Sequence, residues 1–310
     1  MTTIRVANAP CSWGLLEFDD LGARPIGAAQ MLDELRDTGY SGTELGDWGF
    51  MPTAPAALRD ELARRDLDLV GAFVPVAFRH AAQHAAGAEV ALRTARLLAA
   101  ATTGQATRPL LILADENGAD SERTDSAGRI AADQALPTDD WITFAAGVNA
   151  VARAAAAETG LRVAFHPHCA GFVETPDEIA RLLDLTDPAT IGLVFDTGHY
   201  LYGTGASAVG AVREGLERFW PRIRHIHFKD CHPAIAAEAR AGGWDYHTAV
   251  RNGLFCELGR GAVAFPDALD WLQRREYGGW IVVEQDVLPG LGTPRASAER
   301  NRHYLRTLGL

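Results

Sequence analysis

Short apolar runs with little polar alternation recur along the chain, separated by stretches with the three-to-four-residue spacing of a helix. The runs are Ile4–Pro10, Gly42–Leu45, Leu67–Val76, Pro109–Ala114, Leu161–His168, Ile191–Asp196, Ile223–Lys229 and Trp280–Glu284. Strands that do not alternate are buried on both faces, as in a parallel sheet. Helical patterns cover Ile26–Asp37, Pro55–Arg65, Ala85–Ala101, Asp140–Thr159, Val209–Phe219, Phe265–Arg275 and Ala296–Leu308. Thr175-Pro176-Asp177-Glu178 is a capping box with proline at the first helical position, so a helix starts there. Eight strand–helix units in 310 residues predict a (β/α)8 barrel, the TIM barrel of the α/β class, for which about 250 residues is typical. With no linker or composition shift, residues 1–310 read as a single domain. A doubly wound sheet is the alternative, weakened by the lack of a G-x-G-x-x-G turn after the first strand. Two long insertions, Asp115–Pro137 and Cys231–Gly261, follow strands four and seven, which places them at the catalytic face of a barrel; the first reads as a long loop.

Polar residues fall at the C-terminal ends of the strands: Asn8, Glu44, His166 and His168, Asp196 and His199, His225, His227 and Lys229, Glu284 and Asp286. In a barrel those ends converge on one mouth. Residues two apart share a strand face, so His225, His227 and Lys229 align, as do His166 and His168, and Glu284 and Asp286. Burying so many ionisable groups without compensation costs several kcal/mol each, and a divalent metal is the simplest way to hold them together. Asp196 serves equally well as a ligand or as the cap of the next helix. Glu284, directly after Ile281-Val282-Val283, is hard to explain as a packing residue. His227, nearer the rim than His225, is the preferred ligand of that pair. Trp13 and Trp48, after the first two strands, are expected to wall a substrate pocket rather than act as hydrophobic plugs. Glu44 and Asp230 are placed with them on the substrate side. A mixed set of imidazoles and carboxylates suits Mn²⁺, Co²⁺, Fe²⁺ or Zn²⁺ better than Mg²⁺.

Composition narrows the partners. With 47% hydrophobic and 22% charged residues the chain reads as an ordinary globular protein. A net charge of −11 argues against a nucleic-acid partner. The start of the chain lacks a signal-peptide pattern, and no apolar stretch reaches the length of a membrane span. Four scattered cysteines read as free thiols, so a cytoplasmic protein without a membrane partner is expected. Whether it works alone or as a homo-oligomer stays open.

The strand-end pattern resembles the xylose-isomerase-like barrel superfamily over essentially the whole chain. Ala7-Asn8-Ala9-Pro10-Cys11-Ser12-Trp13-Gly14 is similar to the N-terminal signature of myo-inosose-2 dehydratases. So are Gly42-Thr43-Glu44-Leu45-Gly46, His166-Pro167-His168, Asp196-Thr197-Gly198-His199 and His225-Ile226-His227-Phe228-Lys229-Asp230. The octet is the most specific of these. Leu258-Gly259-Arg260-Gly261 keeps the superfamily's G-x-G turn, whereas Val283-Glu284-Gln285-Asp286 is shorter than the dehydratases' eighth-strand signature. The resemblance implies a metal set of His166, Asp196, His227 and Glu284, with His168 the rival to His166 on the fifth strand, where many isomerases carry glutamate.

The expected function is therefore a metal-dependent hydro-lyase, with Mn²⁺ or Co²⁺, that dehydrates a cyclic keto-polyol such as 2-keto-myo-inositol. The alternative is a sugar or keto-polyol isomerase or epimerase acting through an enediolate. Lys229 is the candidate base, because a nearby cation depresses the pKa of an amine. His199 and His168 compete for the acid role, and Glu284 stands with the acid–base groups as well as the ligands.

Overall fold

Eight parallel strands close on themselves in the computed structural model, which describes residues 3–14, 26–205, 210–287 and 292–310. They are β1 (Ile4–Asn8), β2 (Gly42–Glu44), β3 (Asp68–Pro75), β4 (Leu110–Ala114), β5 (Arg162–Phe165), β6 (Ile191–Asp196) and β7 (Ile223–Phe228). After an antiparallel ribbon of β8 (Asp230–Cys231) and β9 (Phe255–Cys256), the eighth barrel strand is β10 (Gly279–Val283). Pairing of β10 with β1, from Ile4–Gly279 to Asn8–Val283, completes the ring. The doubly wound alternative has no such closure.

Both faces of the strands are used, as the unbroken apolar runs require. Outward residues join the large core under the helices. Two smaller clusters, Leu110, Ile112, Ala164 and Val194, and Ala7, Val70, Trp280 and Val282, fill the inside of the barrel. At its floor the Arg5 guanidinium lies 3.9 Å over the Trp280 ring and 2.5 Å from Asp68. Apolar residues thus take the lower layers and leave the upper ends for polar groups.

Several strands end earlier than the apolar runs. The first stops at Asn8, and Pro10–Trp13 forms a 3-10 turn closed by Gly14 with φ of 89°. The fifth stops at Phe165: His166 still donates its N–H to Leu113, but Pro167 has no N–H to continue the ladder. A short helix, Thr197–Gly203, starts directly at the end of β6, where the cap reading of Asp196 places one. The next helix runs Ala211–Phe219, and the expected start at Val209 lies outside the described residues. No helix among the described residues is long and apolar enough to cross a membrane.

The segment from Asp115 to Pro137 is not the plain loop its polarity suggests. It contains a helix, Ser121–Asp125, capped by Asp120, and a 3-10 turn, Ala132–Gln134. Arg123, 1% exposed, anchors it: its guanidinium meets Glu178 at 2.8 and 2.9 Å and donates to the Gly171 carbonyl. Glu178 is the capping-box glutamate of Pro176–Leu185, so one carboxylate serves both a helix start and the insertion. The second insertion carries helices Pro233–Gly242 and Tyr246–Arg251. Arg129 donates to the Trp244 carbonyl and Arg240 to the Gly128 carbonyl, tying the insertions together across the mouth. Arg123→Met should lower the unfolding free energy by about 3–5 kcal/mol, because it leaves a buried carboxylate uncompensated; urea denaturation at neutral pH measures it.

Candidate active site

At the end of β6, Asp196 divides its carboxylate between two tasks. Oδ1 accepts from the N–H groups of Gly198 and His199 at 2.8 and 2.7 Å, capping the helix that follows. Oδ2 is buried with no hydrogen-bond partner and lies 3.8 Å from both His166 Nε2 and His227 Nδ1. Cap and ligand were rival readings of this residue; the geometry accommodates both.

His227 is held from the other side. Its Nε2 and that of His225 each lie 3.0 Å from the same oxygen, Oε1 of Glu44. A carboxylate only accepts, so both imidazoles donate there. The Nδ1 of His227 lies 3.0 Å from Glu284 Oε1 but off the direction of a hydrogen bond. Burial alone would push the Glu44 carboxyl up, but the charge on His227 and the bonds from both imidazoles hold it down at about 2. Burial likewise opposes charge on His227, and the Glu284 and Glu44 carboxylates overcome it and raise its pKa.

His166, Asp196, His227 and Glu284 offer one donor atom each, all within 4.8 Å of one another. Two donors on opposite sides of an ion at about 2.1 Å stand about 4.2 Å apart, and the separations of Asp196 Oδ2 from His166 Nε2 and His227 Nδ1, 3.8 Å each, and of His227 Nδ1 from Glu284 Oε1, 3.0 Å, fall inside that limit. The uncompensated Asp196 oxygen supports the same fit. Charge agrees: the carboxylates of Glu44, Asp196, Glu284 and Asp286 are buried around a single ammonium, Lys229. Of the two fifth-strand histidines, it is His166 that joins the set. Burial lowers its pKa against the pull of Asp196, which keeps the ring neutral as a ligand must be.

His166 and Glu284 of this set line a cavity of about 440 Å³, together with Glu44, His168 and Lys229. His168 Nδ1 is 2.7 Å from its neighbour's carbonyl, Cys169 O. It therefore donates, which leaves Nε2 as the ring nitrogen away from that carbonyl. Lys229 Nζ sits 3.6 Å from Glu284 Oε2 and 3.5 Å from Asp286 Oδ1. Burial works against its charge, but the two carboxylates raise its pKa well above the ordinary value, opposite to the depression expected of a base. His199 lies behind His168, ring centroids 3.8 Å apart, and its Nδ1 accepts from the Cys169 N–H. It is absent from the cavity wall, and burial and the neighbouring His168 keep its pKa well below normal.

Three expected substrate contacts fall elsewhere. Trp13 is 1% exposed and donates its indole N–H to Asn8 Oδ1 at 3.0 Å, a packing role. Trp48 is on the outside, under the Arg93 guanidinium at 4.0 Å. Asp230 is fully buried and accepts from the backbone N–H groups of Cys231, Gly259, Gly261 and Val263. It pins the G-x-G turn of the second insertion, and any side chain at Gly261 would collide with it. Sequence reasoning located both insertions at the mouth but assigned no site role to Asn117, Gly118 or His247, which line the cavity from them. Only proximity of the two insertions, invisible in one dimension, marks them.

Comparison with known proteins decides the family. The sequence pattern of the xylose isomerase-like TIM barrel family matches residues 32–308. This chain belongs to that family. It is 30% identical over 307 residues to the inosose dehydratase of Geobacillus kaustophilus (strain HTA426), covering 98% of this chain and 94% of the relative. Among solved structures, the probable 3-DHS dehydratase AsbF of Bacillus anthracis superposes with a TM-score of 0.67 at 11% identity, covering 97% of this chain and 98% of that one. The D-allulose 3-epimerase of Methylomonas sp. does so at 0.68 and 14% identity, with 99% of both chains covered. At those identities the two structures speak for the barrel alone.

The double use of Asp196 has a direct test. Asparagine caps a helix as well as aspartate does, so Asp196→Asn should keep the melting temperature of the metal-free protein within about 2 °C, under about 0.5 kcal/mol. Its affinity for Co²⁺, followed by titration calorimetry, should fall more than the tenfold to hundredfold typical of losing an outer partner of a ligand.

Proposed function

We propose that the chain is a metal-dependent hydro-lyase that removes water from a cyclic keto-polyol such as 2-keto-myo-inositol. The observation that carries this is the buried His166–Asp196–His227–Glu284 set, whose His166 and Glu284 line a cavity shared with His168 and Lys229. Full-length similarity to a protein named inosose dehydratase supports the substrate class. Mn²⁺ or Co²⁺ suits this nitrogen–oxygen donor set, with Zn²⁺ or Fe²⁺ as rivals, and such an ion supplies polarisation of the substrate carbonyl.

The chain's own residues divide the proton transfers. His168, its Nδ1–H fixed on the Cys169 carbonyl, turns a basic Nε2 to the reaction and takes the proton from the carbon beside the carbonyl. Lys229, kept as ammonium by Glu284 and Asp286, gives a proton to the departing hydroxyl, which leaves as water as the carbon–carbon double bond forms. This reverses the base role expected of Lys229. Glu284 serves twice, as donor to the ion and as one wall of the lysine clamp. His199 buttresses the His168 ring. Asn117 and His247 border the cavity from the insertions, where a polyol ring has hydroxyls to be read.

Epimerisation remains the second reading, because an epimerase shares the barrel. An acid–base pair of fifth- and eighth-strand glutamates would suit that reaction, and here the fifth-strand position is His166. The four cysteines are unpaired, in keeping with a reducing cytoplasm.

Purified protein with Mn²⁺ or Co²⁺ and 2-keto-myo-inositol in D2O should accumulate the dehydrated dione, and His168→Ala should lower kcat by about 10²–10⁴ while binding the ion as before. Deuterium entering recovered substrate with no dione formed would instead establish the epimerase.

A further inference from the structure

Glu44 ends β2, on the far side of His227 from the metal-ligand set, and nothing in the dehydration scheme above uses it. Its side chain is 4% exposed, and one of its oxygens, Oε1, receives both His225 Nε2 and His227 Nε2 at 3.0 Å. Gly71 on β3 makes the space: a Cβ there would press on Glu44 Oε1 and overlap Ile112. Such a convergence on one buried oxygen fixes the rotation of both rings, since a carboxylate can only accept.

We propose that Glu44 is a positioning residue for the metal site, holding the His227 proton on Nε2 so that the Nδ1 lone pair faces the ion, with His225 as the second donor that keeps the carboxylate in place. The inference rests on the metal reading above but concerns a residue outside the ligand set. Its chemistry follows from the two sides of one ring. Nδ1 is 3.0 Å from Glu284 Oε1 and 3.8 Å from Asp196 Oδ2. A neutral ring protonated on Nδ1 instead would turn that N–H toward the carboxylates that are to hold the ion, and the protein would close its own site. The Nε2–H···Glu44 bond selects against that arrangement. Carboxylates behind metal-bound histidines generally act this way, fixing the tautomer and raising ligand basicity.

The same three residues also have donor atoms close enough to hold an ion of their own. A shared acceptor explains them without a second ion, and stoichiometry separates the two.

The test compares wild type, Glu44→Ala and Glu44→Gln by titrating the metal-free proteins with Co²⁺ and following its visible absorption, alongside thermal melts of the metal-free forms. Glu44→Ala should bind Co²⁺ about 10–100-fold more weakly, with an altered absorption band, and its metal-free form should melt below wild type because two buried imidazole N–H groups lose their acceptor. Glu44→Gln keeps an acceptor oxygen and should restore binding to within about fivefold of wild type, since a neutral acceptor forms a weaker bond than a charged one. Overturning results are Glu44→Ala binding as tightly as wild type, Glu44→Gln as weak as the alanine variant, or two ions per wild-type chain. Wild type that binds no Co²⁺ would remove the metal reading itself and this role with it, a result distinct from the others.

Discussion

Burying carboxylates and imidazoles together at the top of a parallel barrel is the constraint that orders the rest of this structure. Each charge taken from water costs several kcal/mol unless a partner replaces the solvent. The chain supplies some partners itself: two imidazoles for Glu44, two backbone N–H groups for one oxygen of Asp196, an ammonium between Glu284 and Asp286. What it leaves unpaired at this site, the second Asp196 oxygen and His227 Nδ1, lies together, 3.8 Å apart. That incompleteness is the strongest physical statement the fold makes about function. The proposed divalent cation would supply that counter-charge, and one donor atom from each of the four residues already lies within 4.8 Å of the others.

Much of this was legible in one dimension because barrels impose a simple rule. Strand ends meet at one mouth, so Asp196, His227 and Glu284, far apart in the chain, are grouped by their strand positions alone. Parity within strands also held: His225 and His227 share a face and reach the same Glu44 oxygen. What could not be read was the direction of a side chain once the strand had ended. Asp230 sits one residue past Lys229, yet it turns into a ring of backbone N–H groups, because the following chain doubles back through the β8–β9 ribbon. Trp13 and Trp48 failed for the same reason. The 3-10 turn after Asn8 rotates Trp13 into the core, and Trp48 emerges beside an arginine. The choice between His166 and His168 also depended on the break at Pro167, which ends the strand between them.

The insertions show how a generic barrel acquires a particular pocket. Each is anchored at its base by one buried ionic group, Arg123 in the first and Asp230 in the second. Arginine-to-carbonyl bonds join them across the mouth. Bracing of this kind presents Asn117 and His247 on a fixed frame, while the chemistry below stays on strand ends. On the proposed reading, ion and proton-transfer groups belong to the barrel, and discrimination between substrates to the added segments. That separation explains how one barrel can serve dehydratases and epimerases alike.

The central claim is that His166, Asp196, His227 and Glu284 form one metal site while His168 stays out of it. Anomalous diffraction from crystals grown with Co²⁺, collected on both sides of the cobalt edge, tests it most directly. A single peak within bonding distance of His166, Asp196 Oδ2, His227 Nδ1 and Glu284, with His168 outside its shell, is the predicted result. A peak bound by His168 with His166 outside its shell, or no peak at the barrel mouth, would contradict it.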